Sequence, residues 1–160
     1  MKKKTKLINI FNKFKIDGIS LTSKFANVNI TYTNWDEEAA WLMYVELLTR
    51  VTTQPIYDDG DEKKALHSIF SIFDISRDIL KKYGRKAENF TKVAVIILNQ
   101  KIRPFTTKWH KVLVDSDFKD KEVWKNFRKE LESLRFIIIA YAKLLADMAN
   151  VEDLTSLNYK

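Results

Sequence analysis

Three glycines and two prolines punctuate this chain of 160 residues, at Gly18, Gly60, Gly84, Pro55 and Pro104. Glycine closes helices and proline interrupts them, so the long intervals free of both are open to continuous helix. In most of those intervals apolar residues recur every three or four positions, the period of an amphipathic helix. The same scarcity excludes the glycine-rich dinucleotide fingerprint and the phosphate-cradling loop, which need several glycines at fixed spacing. Cysteine is absent, which removes disulfides, thiolate zinc sites and cysteine nucleophiles and fits a reducing compartment.

The interval around Pro104 sits at the centre. Residues 93–98 are apolar on all sides, and Pro104 both ends the hydrogen-bond ladder and pushes Arg103 away from helical angles. The expectation is a helix starting near 87–89, broken at Pro104, with a further short helix to about Val114. Before it, Asn34 caps a helix over 34–53, with Glu37 three residues on. Its stripe is Trp41, Val45, Leu48 and Thr52, flanked by Tyr44, Leu47 and Val51, and Glu46 can pair with Arg50. Residues 57–60 form a polar loop, and Asp61 caps a second helix whose face is Leu66, Ile69, Phe70, Phe73 and Leu80. Lys81 and Lys82 fill its last turn, and Gly84 closes it as a left-handed residue. The last helix covers 121–149, burying Val123, Trp124, Phe127, Leu131, Leu134, Ile138, Tyr141, Leu145 and Met148, and 151–160 form a tail.

Near the N-terminus the pattern changes. Residues 5–14 set Leu7, Ile10, Phe11 and Phe14 at helical spacing among lysines: a short basic amphipathic helix, or a tail whose apolar side docks on the body. Asp17-Gly18 offers a turn, and residues 19–33 then alternate with period two. This predicts a β-hairpin with strands over 19–24 and 27–33, turning near Ala26-Asn27. The whole reads as a mainly α protein: an antiparallel four-helix bundle, its third helix broken at Pro104, with an N-terminal β-hairpin. Residues 1–16 are a basic arm, 17–150 one helical domain and 151–160 the tail.

The formal net charge is +7. Residues 1–24 hold seven lysines against Asp17 alone, while the remainder is close to balanced. The arm (Lys2, Lys3, Lys4, Lys6, Lys13 and Lys15) is therefore the candidate anion-binding element, for phosphate or for an anionic lipid surface. No apolar run reaches membrane-span length, and the lysine-interrupted start lacks a signal-peptide core, so a cytoplasmic protein is expected.

Little else carries chemistry. The two histidines, His67 and His110, lack a zinc-binding partner spacing. Residues 115–120 begin like a calcium loop but lack the acceptor and glycine it needs. Ser116 and Lys119 match S-x-x-K without that motif's companions. The carboxylates at 36–38 and 58–61 read as helix-start and turn charges. No catalytic residue, metal or small-molecule cofactor is expected, and the protein reads as a non-enzyme.

One cluster differs. Arg103, Lys108, Trp109 and His110 gather two cations, an indole and a titratable ring at the expected bend, and Arg50 is placed with them as a candidate interaction patch. Arginine and tryptophan are enriched at binding hot spots. The alternative is a capping arrangement, with Arg103 serving helix-end carbonyls or a carboxylate such as Glu46, and Trp109 in the core.

Three segments carry a resemblance: Trp41-x-x-Tyr44-Val45-Glu46-Leu47-x-Thr49-Arg50, Arg77-x-Ile79-Leu80-x-x-Tyr83-Gly84, and Arg103-Pro104-x-x-x-Lys108-Trp109-His110. Over about residues 28–155 the chain resembles a family of small bacterial helical proteins with no assigned activity. The resemblance implies an accessory protein of a bacterial multi-gene system, of the phage-defence or conflict type, and no catalytic residues. The leading expectation is a protein-interaction module, self-associating or partnered. The alternatives are a nucleic-acid-binding subunit using the arm, and attachment to an anionic membrane surface through residues 1–16.

Overall fold

The computed structural model describes residues 4–50, 61–116 and 119–158. In chain order they form β1 (Thr5–Lys6), α1 (Leu7–Lys13), α2 (Ser23–Ala26), β2 (Asn29–Ile30), α3 (Asn34–Leu48) and α4 (Glu62–Tyr83). Then come α5 (Glu88–Ile97), a π-helical turn (Leu98–Ile102), α6 (Arg103–Ser116), α7 (Lys121–Ala149) and a 3-10 turn (Thr155–Asn158). The protein is thus mainly helical, with a two-stranded antiparallel sheet at its N-terminal end. The expected loop at 57–60 lies outside the described residues.

The longest helix, α7, has the predicted bounds. Asp120 caps it by accepting from the Glu122 amide (2.9 Å), and Asn150, left-handed at φ 56°, ends it. Its stripe from Phe127 to Met148 is buried as expected, while Val123 and Trp124 are half-buried. α3 lies along it, and α4 packs on α3 and α6. Asp61 caps α4 as predicted, and Glu46 pairs with Arg50 at 3.0 Å.

Several expectations are corrected. The first strand is Thr5–Lys6, not 19–24, and it pairs Thr5 with Ile30 and Lys6 with Asn29. Residues 23–26 are a helical turn instead, and Phe25 is exposed. α1 buries Leu7, Ile10 and Phe11 together with Ile16, and Ile19 and Leu21 are half-buried against the same core. The Ser20 backbone finds its pairing partner in a side chain: its N–H donates to Gln100 Oε1 (2.7 Å) and its carbonyl accepts from Gln100 Nε2 (2.8 Å). Gly18 makes the approach, with φ 71° and the Lys101 ammonium 2.6 Å from where a Cβ would stand.

Trp41 is not in the buried stripe of α3. It is 44% exposed, and the buried face is Ala39, Ala40, Met43, Tyr44 and Leu47. The helix ends at Leu48, short of the predicted 53, where the Thr49 hydroxyl donates to the Val45 carbonyl at 2.9 Å. Gly84 is right-handed (φ −54°), not left-handed. The turn is closed by the Lys86 and Ala87 amides donating to Tyr83 O at 2.8 and 2.7 Å, while Thr91 Oγ1 donates to Gly84 O at 3.0 Å. Beyond α7 the chain is fastened down: Tyr44 Oη donates to Glu152 O (3.1 Å) and accepts from the Leu154 amide (2.7 Å), and Thr155 is buried.

Pro104 does not break the third helix. Arg103 is helical at φ −58°, ψ −45°, and its amide donates to Leu98 O, five residues back. A π turn widens the backbone ahead of the proline, so its ring and missing N–H are accommodated without interruption. Nor is 93–98 buried all round, since Val95 is exposed.

The start of α3 holds the most connected buried group. Thr33, not Asn34, is the cap, in a capping box with Asp36. The fully buried Asp36 carboxylate accepts from the Thr33 amide (2.8 Å) and hydroxyl (3.1 Å). It also accepts from the Asn89 amide (3.0 Å) and Nδ2 (2.9 Å) and the Phe90 amide (2.9 Å). One carboxylate therefore caps α3 and α5 together.

Replacing Asp36 with Ala removes the acceptor of the Thr33, Asn89 and Phe90 amides, the last of them buried, and is expected to lower unfolding free energy by about 3 kcal/mol in urea denaturation. A loss under about 1 kcal/mol would mean the caps do not depend on it. Tyr141 supplies a second prediction. Its hydroxyl is buried without a hydrogen-bond partner among the described residues, and burial raises its pKa above the ordinary 10.0. The folded chain therefore keeps a proton that the unfolded chain releases, so stability is full below pH 10 and falls above it. Tyr141→Phe is expected to leave neutral-pH stability within about 1 kcal/mol of the parent and to flatten the decline at alkaline pH, read by thermal melts across that range.

Candidate functional site

The residues of the Arg103–His110 cluster sit on one helix, yet they face two neighbours. Trp109 is 3% exposed and points into the core between α6 and α7. Its ring meets Phe127 edge-on (5.2 Å, 87°), and its Nε1 donates to Glu130 Oε2 at 2.9 Å. Lys108 forms an ion pair with the other oxygen of Glu130 while its ammonium lies 5.0 Å over the Trp109 ring. A carboxylate on α7 thus takes both an indole N–H and an ammonium from α6, and these two residues form a seam between helices.

Arg103 and His110 turn the other way, onto α4. The Arg103 guanidinium lies 4.9 Å over the Phe73 ring, and its Nε donates to Asn99 Oδ1 at 3.1 Å. His110 stands edge-on to Phe70 (5.5 Å, 82°). Both are exposed. Arg50, just past the end of α3, reaches α4, donating to Ser71 and to Glu46 of α3. The Glu46 carboxylate considered for Arg103 therefore belongs to Arg50, and the five patch residues are distributed rather than convergent.

The basic arm is only partly an arm. Lys2 and Lys3 lie outside the described residues. Leu7, Ile10 and Phe11 place one side of α1 in the core, which leaves Lys4 and Lys15 exposed. Lys6 donates to Asn27 Oδ1 (3.3 Å), and Lys13 pairs with Asp147 (3.4 Å). The docked arrangement follows from an apolar face that is worth several kcal/mol when removed from water, about 25 cal/mol per Å².

Beneath α1 the structure opens a cleft of about 350 Å³ that the sequence did not signal. Lys13 and Phe14 come from the end of α1 and its cap, Tyr32 from the segment after β2, Glu37 from α3, and Asp147 and Asn150 from the end of α7 and its cap. The Tyr32 pKa is raised, first by burial and then by the Asp147 and Asp36 carboxylates. Its hydroxyl is therefore a neutral donor at physiological pH and no base. A cation, two carboxylates and a phenol suit hydrogen bonding to a small polar molecule. These residues are far apart in sequence, so no local motif could have revealed the cleft. Among the described residues no group of three or more His, Asp or Glu could hold a metal ion. No helix of the described residues is long and apolar enough to cross a membrane.

The contrast within the cluster is measurable. Trp109→Ala is expected to cost about 3–5 kcal/mol in chemical denaturation, as for other buried aromatics. Arg103→Ala and His110→Ala, on the surface, are each expected to stay within about 0.5–1 kcal/mol. Equal losses at all three would contradict the division of the cluster.

Compared with known proteins, the chain matches no protein-family model, no curated protein and no solved structure.

Proposed function

We propose that the protein is a non-enzymatic interaction module, an accessory component of a bacterial multi-protein system of the defence or conflict type, acting in the cytoplasm. On this reading α3, α4, α5–α6 and α7 serve as an antiparallel four-helix bundle that presents one recognition face. The observation that carries the reading is the pair Arg103 and His110. Two exposed polar side chains, about two turns apart on α6, are braced by Phe73 and Phe70 instead of being folded onto carboxylates. A side chain ordered before binding loses less freedom on binding, which is how hot-spot residues gain affinity. The occupant is a second copy of the chain or a protein partner. Attachment to an anionic membrane through residues 1–16 remains a lesser reading, because inserting α1 would require pulling Leu7, Ile10 and Phe11 out of the core.

Light scattering at micromolar concentration, paired with cross-linking in cells and mass spectrometry, tests this. The expected result is an oligomer, or one reproducible cross-linked partner, with links from α4 or α6 that Arg103→Glu and His110→Glu weaken by about ten-fold or more. A monomer without a specific cross-link would sink the proposal. So would an interface untouched by both substitutions.

A further inference from the structure

Anion binding was expected at the N-terminal arm, and a second run of cations without carboxylate partners lies at the far end of α4. The end of α4 and the turn after it read Lys81-Lys82-Tyr83-Gly84-Arg85-Lys86, four cations in six residues, all four exposed. Among the described residues, none of these four lies within 4.0 Å of a carboxylate oxygen. Elsewhere on the body Arg50, Arg77, Lys108, Lys125, Arg128 and Arg135 all have carboxylate partners. Lys81 and Lys82 also complement the negative end of the α4 dipole, but Arg85 and Lys86 lie past the helix and that role does not account for them.

Two aromatic rings stand among these cations. Trp35, in the first turn of α3, is 43% exposed, and its ring centroid is 6.1 Å from that of Tyr83. The Lys86 ammonium lies 4.4 Å from the centre of the Trp35 ring, and the Lys82 ammonium 5.0 Å from that of Tyr83. Each ring is thus paired with one unneutralised ammonium. The nearby exposed carboxylates in sequence are Glu38, Asp78 and Glu88, so the surface is a basic ridge with an acidic margin.

We infer that the Trp35–Tyr83 ring pair, with Lys82, Arg85 and Lys86, binds single-stranded nucleic acid. A base stacks on the exposed indole while the ammoniums and guanidinium take the adjoining phosphates. An unstacked strand is required, because a duplex hides its base faces. A membrane surface fits less well: the large exposed apolar residues, apart from Trp35 itself, are Phe25, Trp41, Val95, Val114, Phe136, Val151 and Leu157, and none belongs to 81–88. The ridge therefore offers rings for stacking and no aliphatic side chain for insertion.

The test is fluorescence anisotropy with the full chain and labelled oligothymidylate and oligouridylate of about 12 nucleotides, titrated over a range of salt. The expected result is low-salt binding that Trp35→Ala weakens by about ten-fold. The Lys82→Glu/Lys86→Glu pair is expected to weaken it further and to reduce the slope of log affinity against log salt by about 1.4. Far-UV circular dichroism confirms that each variant is folded. The Lys2→Glu/Lys3→Glu/Lys4→Glu variant should lose less than the ridge pair. The inference fails if neither oligonucleotide binds at low salt, or if the arm variant alone abolishes binding. It also fails if Trp35→Ala binds like the parent, or if phosphatidylserine vesicles bind where oligonucleotides do not.

Discussion

A single buried carboxylate sets the start of two helices in this protein. The four leading amides of a helix have no partner within it, and when a helix begins inside the protein those amides need an acceptor. Asp36 supplies one for its own helix and one for α5, through the amides of Asn89 and Phe90. Asn89 then extends the junction, its Nδ2 donating to the Thr31 carbonyl at 2.9 Å as well as to Asp36. The end of β2 and the starts of α3 and α5 are thereby joined at one point. Because α3 also lies along α7, and α5 runs into α6 through the π turn, most of the helical body takes its placement from this junction.

Charge is used differently along α7. Arg128 holds Glu62 of α4 at 2.7 Å and lies 4.8 Å over the Trp124 ring. Arg135, buried on the same helix, is ion-paired with Glu132, whose carboxyl is held below its ordinary pKa chiefly by the hydrogen bond from Arg135. Glu130 serves Lys108 and Trp109. Such pairs add little net stability, since desolvation offsets most of their attraction, but the two that join different helices, Arg128–Glu62 and Lys108–Glu130, fix which helix face meets which. The cations spent in this way are the ones a sequence reader finds conspicuous. The run from Lys81 to Lys86, which has no carboxylate partner among the described residues, looks like ordinary helix-end charge in the linear text.

What the sequence made legible follows from how local the deciding physics is. α7 was readable because 29 residues repeat one period between an aspartate cap and an asparagine end. The start of α3 was readable only to within a residue: Thr33-x-x-Asp36 and Asn34-x-x-Glu37 are both plausible capping boxes, and contacts with α5 choose the first. The β1–β2 pairing was not readable, since it joins two residues to two others across the length of α1. The alternation at 19–24 was misleading: residues 23 and 24 belong to a helical turn, and the Ser20 backbone pairs with the Gln100 side chain, not with a strand. For the patch, proximity in sequence suggested convergence, whereas the helix distributes adjacent residues around its circumference. The cleft drew on both ends of the chain, and nothing in either end announced it.

The π turn at 98–102 has an effect beyond accommodating a proline. In an α-helix each residue advances about 100° around the axis, and a π turn holds one residue more than the α turn it replaces. The buried positions before it are Phe90, Val93, Ala94 and Ile97, and those after it are Ile102, Phe105, Thr106 and Trp109. An unbroken α period continued from the first set would bring Lys108 closer to the core and carry Trp109 outward. The turn therefore acts as a phase shift between two halves of one rod. It sends the indole inward and leaves the ammonium at the rim, so that a change in backbone winding determines which side chains of α6 are structural and which are available to a partner.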